Sequence, residues 1–164
     1  MSIFRLYLLI FMPTIIPLVF HPDPRLRLIA KELPVASIPS YASLATDMAE
    51  TMIVDKGIGL AAPQIGENLR LIIVSAKSGP QIMFNPTITK KSLRQEWGEE
   101  GCLSIPGVFG DVKRYKTITC TFFDIEGIER TAEAHGLLAR VIQHEIDHLN
   151  GVLFIDKAKN IRQE

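Results

Sequence analysis

Residues 143–151, Gln143-His144-Glu145-Ile146-Asp147-His148-Leu149-Asn150-Gly151, constrain this chain more than any other stretch. Upstream of them, Leu137, Leu138, Val141 and Ile142 recur at helical spacing, and Leu149 continues the pattern. A helix beginning near His135-Gly136 and running through His148 then has a broad apolar face and belongs in a core, with Gly151 as its stop. On such a helix His144 and His148 stand one turn apart on one face, so both imidazoles can reach a single cation. Glu145 lies beside them and can act as a general base on water activated by that cation. The competing reading is an exposed face with two solvated histidines. What separates the two is whether the rest of the chain offers a third ligand and an electrophilic group.

A catalytic site of this type uses three protein ligands and keeps one position open. The spacing that would put a third histidine after His148 reaches Phe154, which cannot bind metal. A glutamate on a later helix is a poor alternative, because Glu164 is the last residue of a short tail. The ligand is therefore expected upstream, among His21, His135, Cys102 and Cys120. Cys120 sits between threonines in an apparent strand and reads as core. His21 lies in a proline-rich turn, and His135 is too near the helix to curl onto its face. Cys102 differs. In Glu99-Glu100-Gly101-Cys102-Leu103-Ser104-Ile105-Pro106-Gly107, a glycine precedes the thiol and a proline turn follows, a backbone shaped to present it. Glu100 nearby disfavours a free thiolate and so a bare cysteine nucleophile, whereas a cation would offset that charge. A cysteine nucleophile with His144 or His148 as base is the alternative, and it leaves Glu145 unexplained.

Gly57-Ile58-Gly59-Leu60-Ala61-Ala62-Pro63-Gln64-Ile65-Gly66 suits a backbone that something else approaches closely. No Gly-Lys-Ser/Thr follows, so it is not a phosphate loop. Gln64 is the one amide in an apolar stretch. It is either a structural hydrogen-bonder, which the local sequence favours, or a donor aimed at a substrate carbonyl. The remainder alternates strands and turns: Leu69–Ser75, Gln81–Phe84 ended by Asn85-Pro86, an outer strand over 87–97, Thr117–Asp124, and Ile128–Ala134 as a hairpin partner. A helix over 40–54, capped by Ser40, carries Tyr41, Leu44, Ala45, Met48 and Met52 on one face. Leu33–Pro39 reads as loop, Val152–Ile155 as a last short strand, and 156–164 as a polar tail, helical if ordered.

These three segments, Gly57-Ile58-Gly59-Leu60-Ala61-Ala62-Pro63-Gln64, Glu100-Gly101-Cys102-Leu103-Ser104 and His144-Glu145-Ile146-Asp147-His148, closely resemble the peptide deformylase family over roughly residues 15–156. The resemblance implies an α+β fold, with antiparallel β-sheets packed around the central metal-binding helix. It implies removal of the N-formyl group from formylmethionine at the start of newly synthesised polypeptides, releasing formate. By the same resemblance Cys102, His144 and His148 bind the metal, Fe2+ with Zn2+ or Ni2+ as substitutes. Glu145 is the general acid/base, Gln64 and the Leu103 N–H donate to the formyl oxygen, and Gly59 lines the cleft. Ile58, Leu137 and Val141 are expected as walls of a methionine pocket. Expected partners are formylmethionyl nascent peptides and the ribosome near its exit tunnel, with the enzyme a monomer in the cytoplasm. Departures are the short tail after Phe154, where many members carry a docking helix, and Gly98 and Arg140 near the presumed pocket.

Lys plus Arg equals Asp plus Glu at 18 each, so bulk charge offers no nucleic-acid footprint, and no direct nucleic-acid binding is expected. Residues 3–20 are nearly all apolar, like the start of a secretory signal, but Pro13 and Pro17 interrupt them and no small-residue cleavage site follows. Met12 is a second plausible start that leaves Ile15–Phe20 as a strand. The expected division is a dispensable leader over 1–11, with a hydrophobic anchor that would make the protein organellar or membrane-associated as the alternative, and one catalytic domain over 12–164.

Overall fold

The computed structural model describes residues 13–164, so the expected leader at 1–11 lies outside the described residues. Two antiparallel sheets flank one long helix. Strands β1 (Gly59–Ala61), β2 (Leu71–Ala76), β3 (Gly79–Lys91), β6 (Thr117–Phe123) and β7 (Glu129–His135) form the larger sheet in the order β1-β2-β3-β6-β7. Strands β4 (Gln95–Cys102), β5 (Ile105–Tyr115) and β8 (Lys159–Gln163) form the smaller, in the order β4-β5-β8. Helix α1 (Ala42–Val54) covers one face of the larger sheet. Helix α2 (Gly136–Leu149) packs on the other and also touches β5, which places it between the two sheets.

The continuous apolar run of β2 follows from this layering. Side chains alternate along a strand, and here both faces are covered. Ile72 and Val74 pack with Ile142 and Ile146 of α2, while Leu71 and Ile73 pack with Met48 and Met52 of α1. A third cluster, with Ile105, Val112, Leu153 and Phe154, supports the smaller sheet. At the end of α2, Gly151 takes the left-handed conformation (φ 71). Its N–H bonds to the His148 carbonyl and the Val152 N–H bonds back to Asp147, a Schellman closure that satisfies carbonyls the helix would otherwise leave open.

Several local expectations need correction. The segment 35–41 is a 3-10 helix (Val35–Tyr41) running straight into α1, and Ser40 bonds the Ser37 carbonyl instead of capping the helix. Asn85-Pro86 does not end β3: Asn85 absorbs the bend at φ 47 and the strand continues to Lys91. The expected outer strand over 87–97 is instead the end of β3 and the start of β4, which belong to different sheets. The proline turn expected after Cys102 is confined to Leu103-Ser104, and Pro106 already belongs to β5. Residues 154–156 form a 3-10 turn, and the tail is a strand, β8, paired with β5. Residues 15–20 form no strand, although the Val19 N–H bonds the Gln64 carbonyl at 2.7 Å.

Candidate active site

The inward face of α2 brings His144, Glu145 and His148 into the interior, all buried. Cys102 reaches them from the end of β4, at the tight connection into β5. A register shift between Gly101 and Cys102 breaks the ladder there. Bulges of this kind re-aim a side chain at a site. The ligand atoms of Cys102, His144 and His148 lie within 4.8 Å of one another, and the Cys102 Sγ is 3.3 Å from His148 Nε2. Phe154, which stands where a third histidine was sought, stacks against the His144 ring at 6.1 Å between centroids.

Glu100 fixes the His144 ring. Its Oε2 accepts from His144 Nδ1 at 2.8 Å, which leaves Nε2 to face the cluster and Cys102. Arg114 clamps the same carboxylate from Nε and Nη2, each at 2.8 Å, and Arg140 adds a bond at 2.9 Å. Burial opposes the charge on Glu100, but the bonds from Arg114 and His144 outweigh it and hold the carboxyl well below the usual range. Two guanidinium groups neutralise that charge, and the carboxylate sits on the far edge of the His144 ring from the thiol.

Burial keeps His148 neutral by driving its pKa far down. Burial also opposes a charged His144, but hydrogen bonds to Cys102 and Glu100 raise it to about 10. Burial lifts Glu145 to about 7, the range in which a carboxyl can take and release a proton at little cost. One oxygen of Glu145, Oε2, is buried with no hydrogen-bond partner among the described residues.

Gln64 is held in one orientation. Its Oε1 accepts the Ala61 N–H at 2.8 Å, so the amide nitrogen must face the other way, toward Ser104 Oγ at 3.2 Å and the Cys102 Sγ at 3.4 Å. The structural and donor readings of Gln64 are therefore compatible: one end is an anchor and the other points into the site. Gly59 is glycine because of space. A Cβ built there would overlap the Glu145 carboxylate and come within 2.8 Å of Val141.

A cavity of about 520 Å³ opens onto this cluster. Of the sequence-expected residues, Ile58, Gly59, Gln64, Cys102, Leu103, Leu137, Val141, His144 and Glu145 line it, and His148 joins through Cys102. Ile58 and Leu137 are exposed at its rim, and Val141 is buried deeper. The cavity lies between β1 and β4, each an edge strand of its sheet among the described residues. The rejected ligand candidates lie elsewhere. Cys120 is buried in the core, where burial pushes its thiol up to about 11. His135 is exposed against Thr117, and His21 is exposed in its turn. Sequence reasoning missed Arg114 and the bond from Glu100 to His144. In the β4–β5 register Glu100 faces Gly110 and Arg114 faces Glu96, so no local pairing in the sequence pointed to either contact.

One thiol and two imidazoles converging in a buried pocket fit a borderline-soft divalent cation, and the open side toward Glu145 suits a catalytic rather than a closed structural site. Comparison with known proteins agrees. Residues 15–164 match the family model described as polypeptide deformylase. A peptide deformylase of Brucella suis is 44% identical over 154 residues, covering 90% of this chain and 87% of that one. Another, of Thermoanaerobacter pseudethanolicus, is 50% identical over 129 residues, covering 78% and 80%. Among solved structures, the class I type b peptide deformylase of Acinetobacter baumannii superposes with a TM-score of 0.85 at 35% identity, covering 88% of this chain and 99% of that one. That of Synechococcus elongatus in complex with actinonin gives 0.83 at 41%, covering 91% and 81%. On these matches, the chain belongs to the polypeptide deformylase family.

Proposed function

We propose that Cys102, His144 and His148 hold the metal and that Glu145, Gln64 and the Leu103 N–H carry the chemistry. The reaction comes with the family: this chain is a hydrolase that removes the N-formyl group from the N-terminal formylmethionine of newly synthesised polypeptides, giving formate and a free amine. The family is metal-dependent. A divalent cation held by Cys102, His144 and His148 would supply the Lewis acidity that lowers the pKa of water.

Glu145 accepts the proton of the attacking water on its carboxylate, which no hydrogen bond in the described residues ties up. The Gln64 Nε2–H donates to the formyl oxygen as it gains negative charge. The Ala61 N–H already fixes the orientation of that amide, so only the hydrogen now facing the Cys102 Sγ has to turn to the substrate. The Leu103 N–H, in the turn after β4, is the second donor. Glu145 then delivers its proton to the departing amine nitrogen.

The peptide lies extended between edge strands β1 and β4, which offer unpaired main-chain groups for strand addition. Ile58, Leu137 and Val141 receive the methionine side chain. Gly59, pressed on by Glu145, keeps the reacting end narrow, so only the hydrogen of a formyl group fits behind the carbonyl. The resident ion is Fe2+, with Zn2+ or Ni2+ as substitutes that the same donors accept. The enzyme works as a monomer in the cytoplasm beside the ribosomal exit. No helix among the described residues is long and apolar enough to cross a membrane.

The observation that carries this reading is the convergence of Cys102, His144 and His148 with Glu145 and the oriented Gln64 amide on one cavity. Formyl-Met-Ala and an unformylated internal peptide, each incubated with protein purified without oxygen, test it. Formate from the first alone supports it, and cleavage of the second without formate contradicts it.

A further inference from the structure

We propose that Arg140 is a positioning residue that joins the wall of the substrate pocket to the metal ligand His144 through Glu100, and that residue 98 is glycine to admit it. This rests on the deformylase reading above. Arg140 lies one turn before His144 on α2 and lines the cavity between the exposed Leu137 and His144. Its head group leaves the helix and spreads across the smaller sheet. One terminal nitrogen donates to the Gly98 carbonyl at 3.2 Å, the Val112 carbonyl at 2.8 Å and Glu100 Oε1 at 2.9 Å. The other donates to the Glu96 carbonyl at 3.1 Å. These acceptors belong to β4 and β5, so a single guanidinium ties both strands to α2. A lysine has no planar fork and could not span them.

Gly98 makes the arrangement fit. A Cβ there would lie 2.7 Å from the Arg140 Nη2 and 2.9 Å from its Cζ. A free side-chain end would swing aside, but this one can move only by giving up its bonds to Glu96, Gly98, Val112 and Glu100. The last of these matters most. Glu100 Oε1 holds Arg140, and Glu100 Oε2 holds His144 Nδ1 at 2.8 Å. Displacing the guanidinium therefore both pushes it toward the cavity and loosens the carboxylate that orients a metal ligand. Side-chain recognition and metal retention share one element.

The test uses the full chain as Gly98→Ala, Arg140→Met and the double variant. Metal affinity is read by competition with a chelator, and kcat and KM with formyl-Met-Ala and formyl-Ala-Ala. Each single change should weaken metal binding about 10- to 100-fold, the usual effect of losing a group behind a ligand. Gly98→Ala should also raise KM for formyl-Met-Ala while leaving formyl-Ala-Ala unchanged. In the Arg140→Met background Gly98→Ala should add nothing, because the group it collides with is gone. Unchanged metal affinity in Arg140→Met, or the same loss from Gly98→Ala with and without Arg140, overturns the proposal. Should Arg140→Met not fold, Arg140→Lys, which keeps a charge for folding but lacks the fork that spans β4 and β5, carries the same comparison. A wild-type chain that binds metal but releases no formate instead sinks the deformylase reading, and the affinity arm still decides the role of Arg140.

Discussion

The carboxylate of Glu145 occupies the space that a side chain on Gly59 would need. The first residue of an edge strand and the proposed general base on α2 are thus packed face to face in the cavity wall. Gly59→Ala should displace the carboxylate while leaving the three metal ligands in place. A shift of about 1 Å in a catalytic group can cost ~100-fold in rate. The expected result is a fall of that order in kcat with unchanged metal content. A variant with wild-type kcat would show that the contact is only packing.

Gln64→Ala removes the donor that the Ala61 N–H holds in place. Loss of one such donor costs about 100- to 1000-fold in kcat. KM should change much less, because the bond strengthens only as charge develops. Steady-state kinetics with formyl-Met-Ala read the split, and a KM effect without a kcat effect would assign Gln64 to ground-state binding.

Cys102→Ala removes one donor of the cluster, and elemental analysis of the purified variant should show depleted metal. Undiminished content would take Cys102 out of the ligand set.

Metal affinity should depend on pH. In the metal-free chain His144 holds a proton up to about pH 10, because its bonds to Cys102 and Glu100 outweigh burial. A cation must displace that proton, so apparent affinity rises with pH below 10 and is lost as pH falls, by about tenfold per pH unit for one displaced proton. Burial keeps His148 neutral, and it contributes no such dependence. Chelator competition at several pH values checks the slope, and a flat profile would mean that no proton is displaced.

Helix α2 was legible because its apolar spacing, its histidine pair and Gly151 all point to one buried element, and the structure closes it at Gly151. The site was legible as three segments but not as a geometry. Nothing local in Gln64 says which end of the amide faces the cleft; the Ala61 N–H, three residues back, decides it. Glu100 was misjudged because adjacency to Cys102 suggested contact with the thiol. Its partners are Arg114, Arg140 and His144, and the facing strand and the helix supply them only once the chain has folded. Strand β8 was hidden because Lys159-Asn160-Ile161-Arg162-Gln163 is polar and carries no apolar alternation, and all five residues stay exposed in the fold. Pairing with β5 alone makes it a strand. Strand β5 was hidden in the same way, by Gly107, Gly110 and the charged run Asp111–Arg114.

The most direct test pairs metal analysis with formate release for the wild-type chain and Glu145→Gln, both purified without oxygen. The account predicts about one divalent ion per chain in each. Formate should be released from formyl-Met-Ala by the wild type, while the variant keeps its metal and loses nearly all activity. Deformylation by Glu145→Gln at close to the wild-type rate would contradict it.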